Sequence, residues 1–417
     1  MIRANVDPNE PGWMDEGFST FTEWYLGSDD LTFVDIFLAN PNLQLNTWTE
    51  DGNRIADYGA AQLWVTYLYE RFGVEGLRVL SADPADGFFA VDNLAEAYGT
   101  DANTLFADWT VANYLRDPAR TGIDAYGYTQ LQDFQNVAIR PLDRLPADEV
   151  FTVRQYAAEY VQVVVPRGTT GVRLTVDAPS VVPLADTVSP TATPMWYSNR
   201  GDSSDTTLTF PLDLTANTTP TLSYDLWYHI ENLWDYGYLM ASVDGGRTWD
   251  VLKTAGMTTE NPFFTAYGPG YTGRSGGWST ETVDLSPYVG QSILMRFEMI
   301  YDDAINQPGM LVDSITLTDT ATGEKRTDDF GGTGDWNLDF ETAGWVLTDN
   351  RLPQSVWVQA IQESGVAATV SRWQHTGGEA TYAVPLNPGV ERLTVVLAPF
   401  APTTTVSTDI RLGIAVE

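Results

Sequence analysis

The stretch Tyr160-Val161-Gln162-Val163-Val164-Val165, followed after Pro166 to Gly171 by Val172-Arg173-Leu174-Thr175-Val176, sets the architecture of most of this chain. Apolar side chains recur at every second position, which is the period of a strand with one face buried. The Pro and Gly cluster between the two runs is turn chemistry, and short alternating runs set between such clusters are the pattern of antiparallel strands. The same style continues to Glu417 through Val356-Trp357-Val358-Gln359 and Leu393-Thr394-Val395-Val396-Leu397, with no helical pattern. Residues 150–183 and 354–417 share it, and are expected to combine into one β-sandwich. Two orphan half-domains would each leave long exposed edges.

Before Gly122 the period changes. Phe18-Phe21-Trp24-Tyr25 follows helical spacing, and Asp29 or Asp30 is placed to cap a helix through Phe33-Ile36-Phe37. Asp57 precedes Ala60-Leu63-Trp64-Tyr67-Leu68-Phe72, an amphipathic helix expected to end at Gly73. Asp92 is expected to cap a helix to Tyr98 and Asp101 another to Leu115, with Pro118 stopping the series. The expected fold is multidomain, α then β. Residues 1–120 are helical, 121–185 are a linker and the first sandwich strands, 186–348 an inserted antiparallel β domain, and 349–417 the remaining strands. The boundaries rest on the Pro, Thr and Ser of Asp186 to Pro194 and on Gly331-Gly332-Thr333-Gly334.

With 417 residues, 43% of them hydrophobic, there is ample material for two or three cores. The formal net charge is −34, and Lys253 and Lys325 are the only lysines. Such a surface repels nucleic acid and anionic membranes. It suits an exported protein, a salt-adapted one, or a binder of divalent cations. The absence of cysteine excludes disulfides and thiolate metal sites. No run reaches the roughly 20 apolar residues of a membrane span, and Met1-Ile2-Arg3 leads into a polar segment with no leader pattern.

Ser242-x-Asp244-x-Gly246-x-Thr248-Trp249 matches the Asp-box hairpin, expected to be structural through Asx-turn bonding. Asp202, Asp205, Asp302, Asp303 and Asp313 are oxygen ligands of the kind calcium takes, and are expected in loops that meet at one rim. Solvated turn aspartates are the other reading. Asp15 and Glu16, by spacing alone, are helix N-terminal carboxylates favoured by the macrodipole.

Trp13-Met14-Asp15-Glu16-Gly17-Phe18-Ser19, with Tyr58-Gly59-Ala60-Ala61 and Tyr67 to Gly73, resembles the region after the metal motif in gluzincin zinc peptidases of the immune inhibitor A-like and hyicolysin-like kinds. The resemblance implies that residues 1–120 are the helical C-terminal half of a peptidase domain. It implies Glu16 as the third zinc ligand, Asp15 as a carboxylate orienting a histidine ligand, and Tyr58 as a phenol near the site able to stabilise an oxyanion. A buried helix-start tyrosine is the alternative for Tyr58. No His-Glu-x-x-His occurs in the chain, whose histidines, His229 and His375, are isolated in the β region. Met1-Ile2 reads as the tail of the missing metal helix. Because hydrolytic zinc needs three protein ligands and an open position, the chain is expected to be an inactive portion of a secreted endopeptidase of protein substrates.

A second resemblance covers residues 186–348. Trp196 to Asp202, Tyr224 to Tyr228, Gly276-Gly277-Trp278, Val283 to Tyr288, Arg296 to Glu298 and Gly309 to Ile315 resemble the MAM-like jelly roll of immune inhibitor A peptidases. It implies a domain that binds or packs. The alternative function is accordingly non-catalytic, with β domains binding a glycan, a protein or a cell surface.

Overall fold

The computed structural model describes residues 10–48 and 54–417, so the expectation for Met1-Ile2 lies outside the described residues. Five helices come first: α1 (Gly12–Tyr25), α2 (Thr32–Leu38), α3 (Ile55–Leu80), α4 (Phe88–Glu96) and α5 (Ala102–Leu115). Short 3-10 turns follow at Pro118–Arg120 and Asp124–Tyr126. Trp64, Tyr67 and Phe106 are wholly buried among them, and each such side chain contributes about 1.5–3 kcal/mol through removal from water.

Three sequence expectations for the helices need correction. Gly73 does leave helical geometry, at φ 65, ψ −173, but the chain then resumes a helical course to Leu80. Asp92 lies inside α4 and accepts the amide of Ala102 at 2.9 Å, so it braces the start of α5 rather than capping its own helix. Asp101 does cap α5, accepting from the Thr104 amide at 2.9 Å. Asp57 sits in the first turn of α3, not before it.

The strands then run β1 (Arg140–Leu142), β2 (Ala147–Val153), β3 (Glu159–Val164), β4 (Gly171–Ala178) and β5 (Val181–Val182). The next group is β6 (Met195–Tyr197), β7 (Asp205–Asp213), β8 (Pro220–His229), β9 (Tyr236–Ser242), β10 (Asp250–Leu252) and β11 (Ser279–Asp284). It continues with β12 (Ser292–Ile300), β13 (Gly309–Asp319), β14 (Glu324–Asp328), β15 (Glu341–Ala343) and β16 (Val346–Thr348). The last are β17 (Leu352–Pro353), β18 (Ser355–Ser364), β19 (Ala367–His375), β20 (Gly378–Pro385), β21 (Arg392–Phe400) and β22 (Thr408–Val416).

They divide between two units, Met1–Val182 with Leu352–Glu417, and Pro183–Arg351. In the first unit a five-stranded sheet, β1-β3-β21-β18-β19, and a four-stranded sheet, β2-β22-β4-β20, share one core. Val161, Val163, Val172, Leu174 and Val176 all point into it. Antiparallel β5–β17 pairing joins the two places where the chain leaves and re-enters this unit. The other face of the five-stranded sheet is covered by α5. Gln359 donates to Thr110 at 2.8 Å and Tyr160 to the Thr110 carbonyl at 2.7 Å. That cover explains why β21 is apolar on both faces, buried from Leu393 to Phe400.

The second unit has sheets ordered β10-β9-β12-β7-β15 and β11-β8-β13-β6-β16, with β14 added beside β13. The chain moves from sheet to sheet as it proceeds, and the resulting strand order is that of a jelly roll. Strict alternation on β12 sends Ile293, Met295, Phe297 and Met299 inward. Strand β9 departs from alternation, being buried on both faces. Its outer side chains Tyr236, Tyr238 and Met240 form a small second cluster with Val251 and Ala266.

Candidate functional site

Glu16 lies on α1 and Tyr58 near the start of α3, and two glycines bring their elements close. A Cβ on Gly17 would stand 2.9 Å from the Ala61 carbonyl oxygen, so α1 crosses α3 nearly backbone to backbone. A Cβ on Gly59 would stand 1.9 Å from the Phe33 carbonyl oxygen, where α2 begins. Trp13, in the same motif, is core: it is buried and packs on Phe88 at 5.5 Å.

Burial raises the Glu16 pKa above the usual carboxylate value, and the charges of Asp15 and Glu23 raise it further. Tyr58 packs between Trp48, at 5.0 Å, and Phe33, at 5.8 Å. Its pKa is raised by burial and then by the Glu16 charge, with Arg54 opposing. The phenol therefore stays protonated at neutral pH. No histidine joins them. His229 ends β8, and His375 ends β19 with Nδ1 3.0 Å from the Tyr382 hydroxyl. Among the described residues, no cluster of three metal-donor side chains includes Glu16. The described residues around Glu16 do not by themselves fit a hydrolytic zinc.

Such a cluster exists in the jelly roll. Glu231, Asp235 and Asp302 place carboxylate oxygens within 4.8 Å of one another. The first two belong to the loop between β8 and β9, and Asp302 follows β12. Backbone amides organise them: Asp235 accepts from Asp302 N at 2.9 Å and Glu231 N at 3.3 Å. Burial pushes the Asp235 pKa up to about 8, with the charges of Asp302 and Glu231 adding to the rise against the amide bonds. Asp302 is pushed up to about 6, first by burial and then by Asp303 and Asp202. Ionising all three in one pocket is costly unless a proton or a cation is shared among them.

The five aspartates expected at one rim divide. Asp302 is in the cluster, and the charges of Asp202 and of exposed Asp303 reach it. Asp202 is buried and accepts from Asn306 at 2.7 Å. Asp205 is the first residue of β7 rather than a loop residue, beside Arg296. Asp313 corrects the loop expectation most clearly. It lies inside β13 at a bulge, where Ser314 has φ 50, and is buried. Four residues, about 13 Å, separate it from the strand's start at the rim. Its carboxylate accepts from Ser189 at 2.7 Å and Thr191 at 2.9 Å. The sequence reading missed Glu231 and Asp235; their spacing of four just after an apolar strand was the available signal.

The Asp-box is a hairpin brace. Asp244 accepts from the amides of Arg247 and Thr248 at 3.0 Å each and from the Thr248 hydroxyl at 2.7 Å. These bonds lower its pKa to about 2. Arg296 stacks over Trp249 at 4.0 Å.

Residues 169–343 match the family described as immune inhibitor A-like, MAM domain. The chain is 30% identical over 122 residues to the pre-pro-metalloprotease PrtV of Vibrio cholerae, covering 29% of this chain and 13% of that protein. Immune inhibitor A of Bacillus thuringiensis is 30% identical over 124 residues, covering 30% of this chain and 17% of the relative. Bacillopeptidase F of Bacillus subtilis is 29% identical over 103 residues, 25% of this chain and 6% of the relative. The matched stretch thus spans less than a fifth of each of these relatives. The chain is distantly related, over part of its length, to metallopeptidases of the immune inhibitor A group. Among the described residues, no helix is long and apolar enough to cross a membrane.

Proposed function

We propose that this chain is a portion of a secreted zinc-dependent endopeptidase acting on protein or peptide substrates, inactive without a His-Glu-x-x-His segment. In this reading Glu16 is the third metal ligand, Asp15 steadies the ligand set, and Tyr58 is a protonated donor beside it. The observation that carries it is the backbone-close crossing of α1 on α3 at Gly17 and Ala61, which sets the helix bearing Glu16 against the helix bearing Tyr58. Distant similarity to the immune inhibitor A group supports it.

The chain alone should retain no stoichiometric zinc after dialysis and should not cleave casein. In a protein where a His-Glu-x-x-His helix is joined ahead of it, Glu16→Ala should lose zinc and activity, and Asp15→Ala should weaken both less. Full zinc and activity in Glu16→Ala would remove that residue from the ligand set.

The same reading gives the jelly roll a stabilising calcium held through Glu231, Asp235 and Asp302, with Asp202 and Asp303 adding negative potential. Calcium accepts six to eight oxygens in flexible geometry, which suits side chains drawn from two loops. A second reading makes the β region a non-catalytic binder of a glycan, protein or cell surface. Exposed aromatic side chains on the jelly roll favour it.

A further inference from the structure

The segment 258–271 crosses the outer face of β9 and seals it. Ala266 packs on the Tyr236, Tyr238 and Met240 cluster. Tyr238 accepts the Tyr267 amide at 3.0 Å, and Tyr236 donates to the Glu260 carbonyl at 2.8 Å. That covering task leaves the segment's own rings outside. Phe263 is 47% exposed, Tyr267 76% and Phe264 90%, beside Trp234 at 38% on the neighbouring loop. Trp234 and Phe263 stack face to face, 4.1 Å apart and 7° from parallel.

The loop is held rather than loose. Asn261 clamps Ala266 twice, accepting its amide and donating to its carbonyl, both at 3.0 Å. Thr265 donates to the Leu233 carbonyl at 3.2 Å, tying the two loops together. Phe264 takes φ 64 and Leu233 φ 66. A bulky residue in the left-handed region is an outlier that its surroundings must enforce. Here the enforced conformation leaves the Phe264 ring in water. Large apolar rings gathered in water on a pair of tied loops mark a contact surface.

We propose that Trp234, Phe263, Phe264 and Tyr267 form a docking surface for a basic polypeptide segment that carries apolar side chains. The chain has a net charge of −34 and two lysines, so long-range attraction selects cationic partners and rejects anionic glycans, nucleic acid and anionic lipid. Exposed Glu260 lies in the same segment, three residues before Phe263. The ring faces take both aliphatic groups and Lys or Arg side chains, the latter through the ring quadrupole. A neutral sugar needs several directed hydrogen bonds around its ring, and of the four rings only Trp234 and Tyr267 carry a polar group. This deepens the reading of the jelly roll as a binding module.

The test uses the full chain and a short fluorescent peptide of alternating leucine and lysine, by anisotropy at about 0.15 M salt, where loose charge attraction is screened. The peptide should bind, its leucine–glutamate counterpart should not, and Phe264→Ser should weaken binding at least about tenfold. Tyr267→Ser should weaken it less, and neither change should move the melting temperature. Equal binding by wild type and Phe264→Ser would overturn the proposal, as would no binding at all. Phe264-dependent binding of phosphatidylcholine vesicles or chito-oligosaccharides in place of the peptide would reassign the surface to lipid or glycan. The measurement requires neither zinc nor peptidase activity, so its failure leaves the reading of Glu16 and Tyr58 standing.

Discussion

Gly59→Ala tests the packing that positions Tyr58. In an unobstructed helix this change stabilises by about 1 kcal/mol, because alanine is the better helix former. Here the added methyl would lie 1.9 Å from the Phe33 carbonyl oxygen and 2.3 Å from its carbon. Ordinary contact requires a shift of more than about 1 Å, and the obstacle is backbone at the start of α2, not a side chain that can rotate. Overpacking of this kind costs about 1–3 kcal/mol and occasionally more. With a rigid neighbour the upper end applies, and the clash outweighs the propensity gain by about 2 kcal/mol. For a domain of 150–250 residues that lowers the melting temperature by about 4–8 °C. Thermal unfolding followed by circular dichroism at 222 nm reads the helical region. Gly73→Ala is the comparison: nothing lies within 4 Å, and its φ of 65 with ψ of −173, a region essentially reserved to glycine, makes backbone strain the whole cost, about 1–3 kcal/mol. A Gly59→Ala protein melting at or above the wild type would show that α2 does not press on α3 as described.

The remaining predictions concern charge. Glu363 accepts from Tyr114 at 2.6 Å and Arg120 at 2.7 Å, with Arg392 at 3.5 Å, where the helical region meets the five-stranded sheet. Glu363→Gln should cost about 2 kcal/mol or more, read by urea unfolding; an unchanged midpoint would mean the network is idle. Burial raises the pKa of Glu363, but the Tyr114 and Arg120 bonds and the arginine charges together bring it below its usual value. Its stabilisation is therefore complete above pH 4.5 and fades as pH falls through the lower folded value. The wild type should lose its advantage over Glu363→Gln on acidification; a constant difference between pH 6 and pH 3 would contradict that sign. Calcium should raise the jelly roll's melting temperature, by about 2.7 kcal/mol of stability at a hundredfold excess over its dissociation constant, and magnesium less. Asp235→Asn with Glu231→Gln should abolish the difference between the ions, and identical wild-type curves in calcium and chelator would dismiss the site.

Signals that act within a few residues were legible in the sequence. Asp101 caps α5 because its acceptor reaches an amide three positions on, and β4 alternates because one core lies on one side of it. Asp92 misled because its carboxylate is used by Ala102, on the next helix, which no local pattern encodes. The resumption of helix after Gly73 was hidden because a left-handed glycine reads as a stop whether or not another turn follows. At the jelly-roll rim, Asp235 and Asp302 are 67 residues apart and meet only once β9 and β12 pair. Asp313 is the converse case: a bulge holds it inside a strand where hydroxyl groups satisfy its oxygens.

The pairing of Val181-Val182 with Leu352-Pro353 also constrains the order of events during synthesis. Strands β3 and β4 emerge early, but their partners β21, β22 and β20 lie beyond the whole of Pro183–Arg351. At roughly 5–20 residues per second, on the order of ten to forty seconds pass before those partners leave the ribosome. Through that interval the half-built sandwich offers unpaired strand edges rich in valine, which other chains could extend. Early closure of the jelly roll would shorten the effective loop to the β5–β17 junction and turn a very distant encounter into a nearly local one. Variants that slow the inserted unit's folding should therefore lower the yield of the sandwich, even where both units, once formed, are as stable as before.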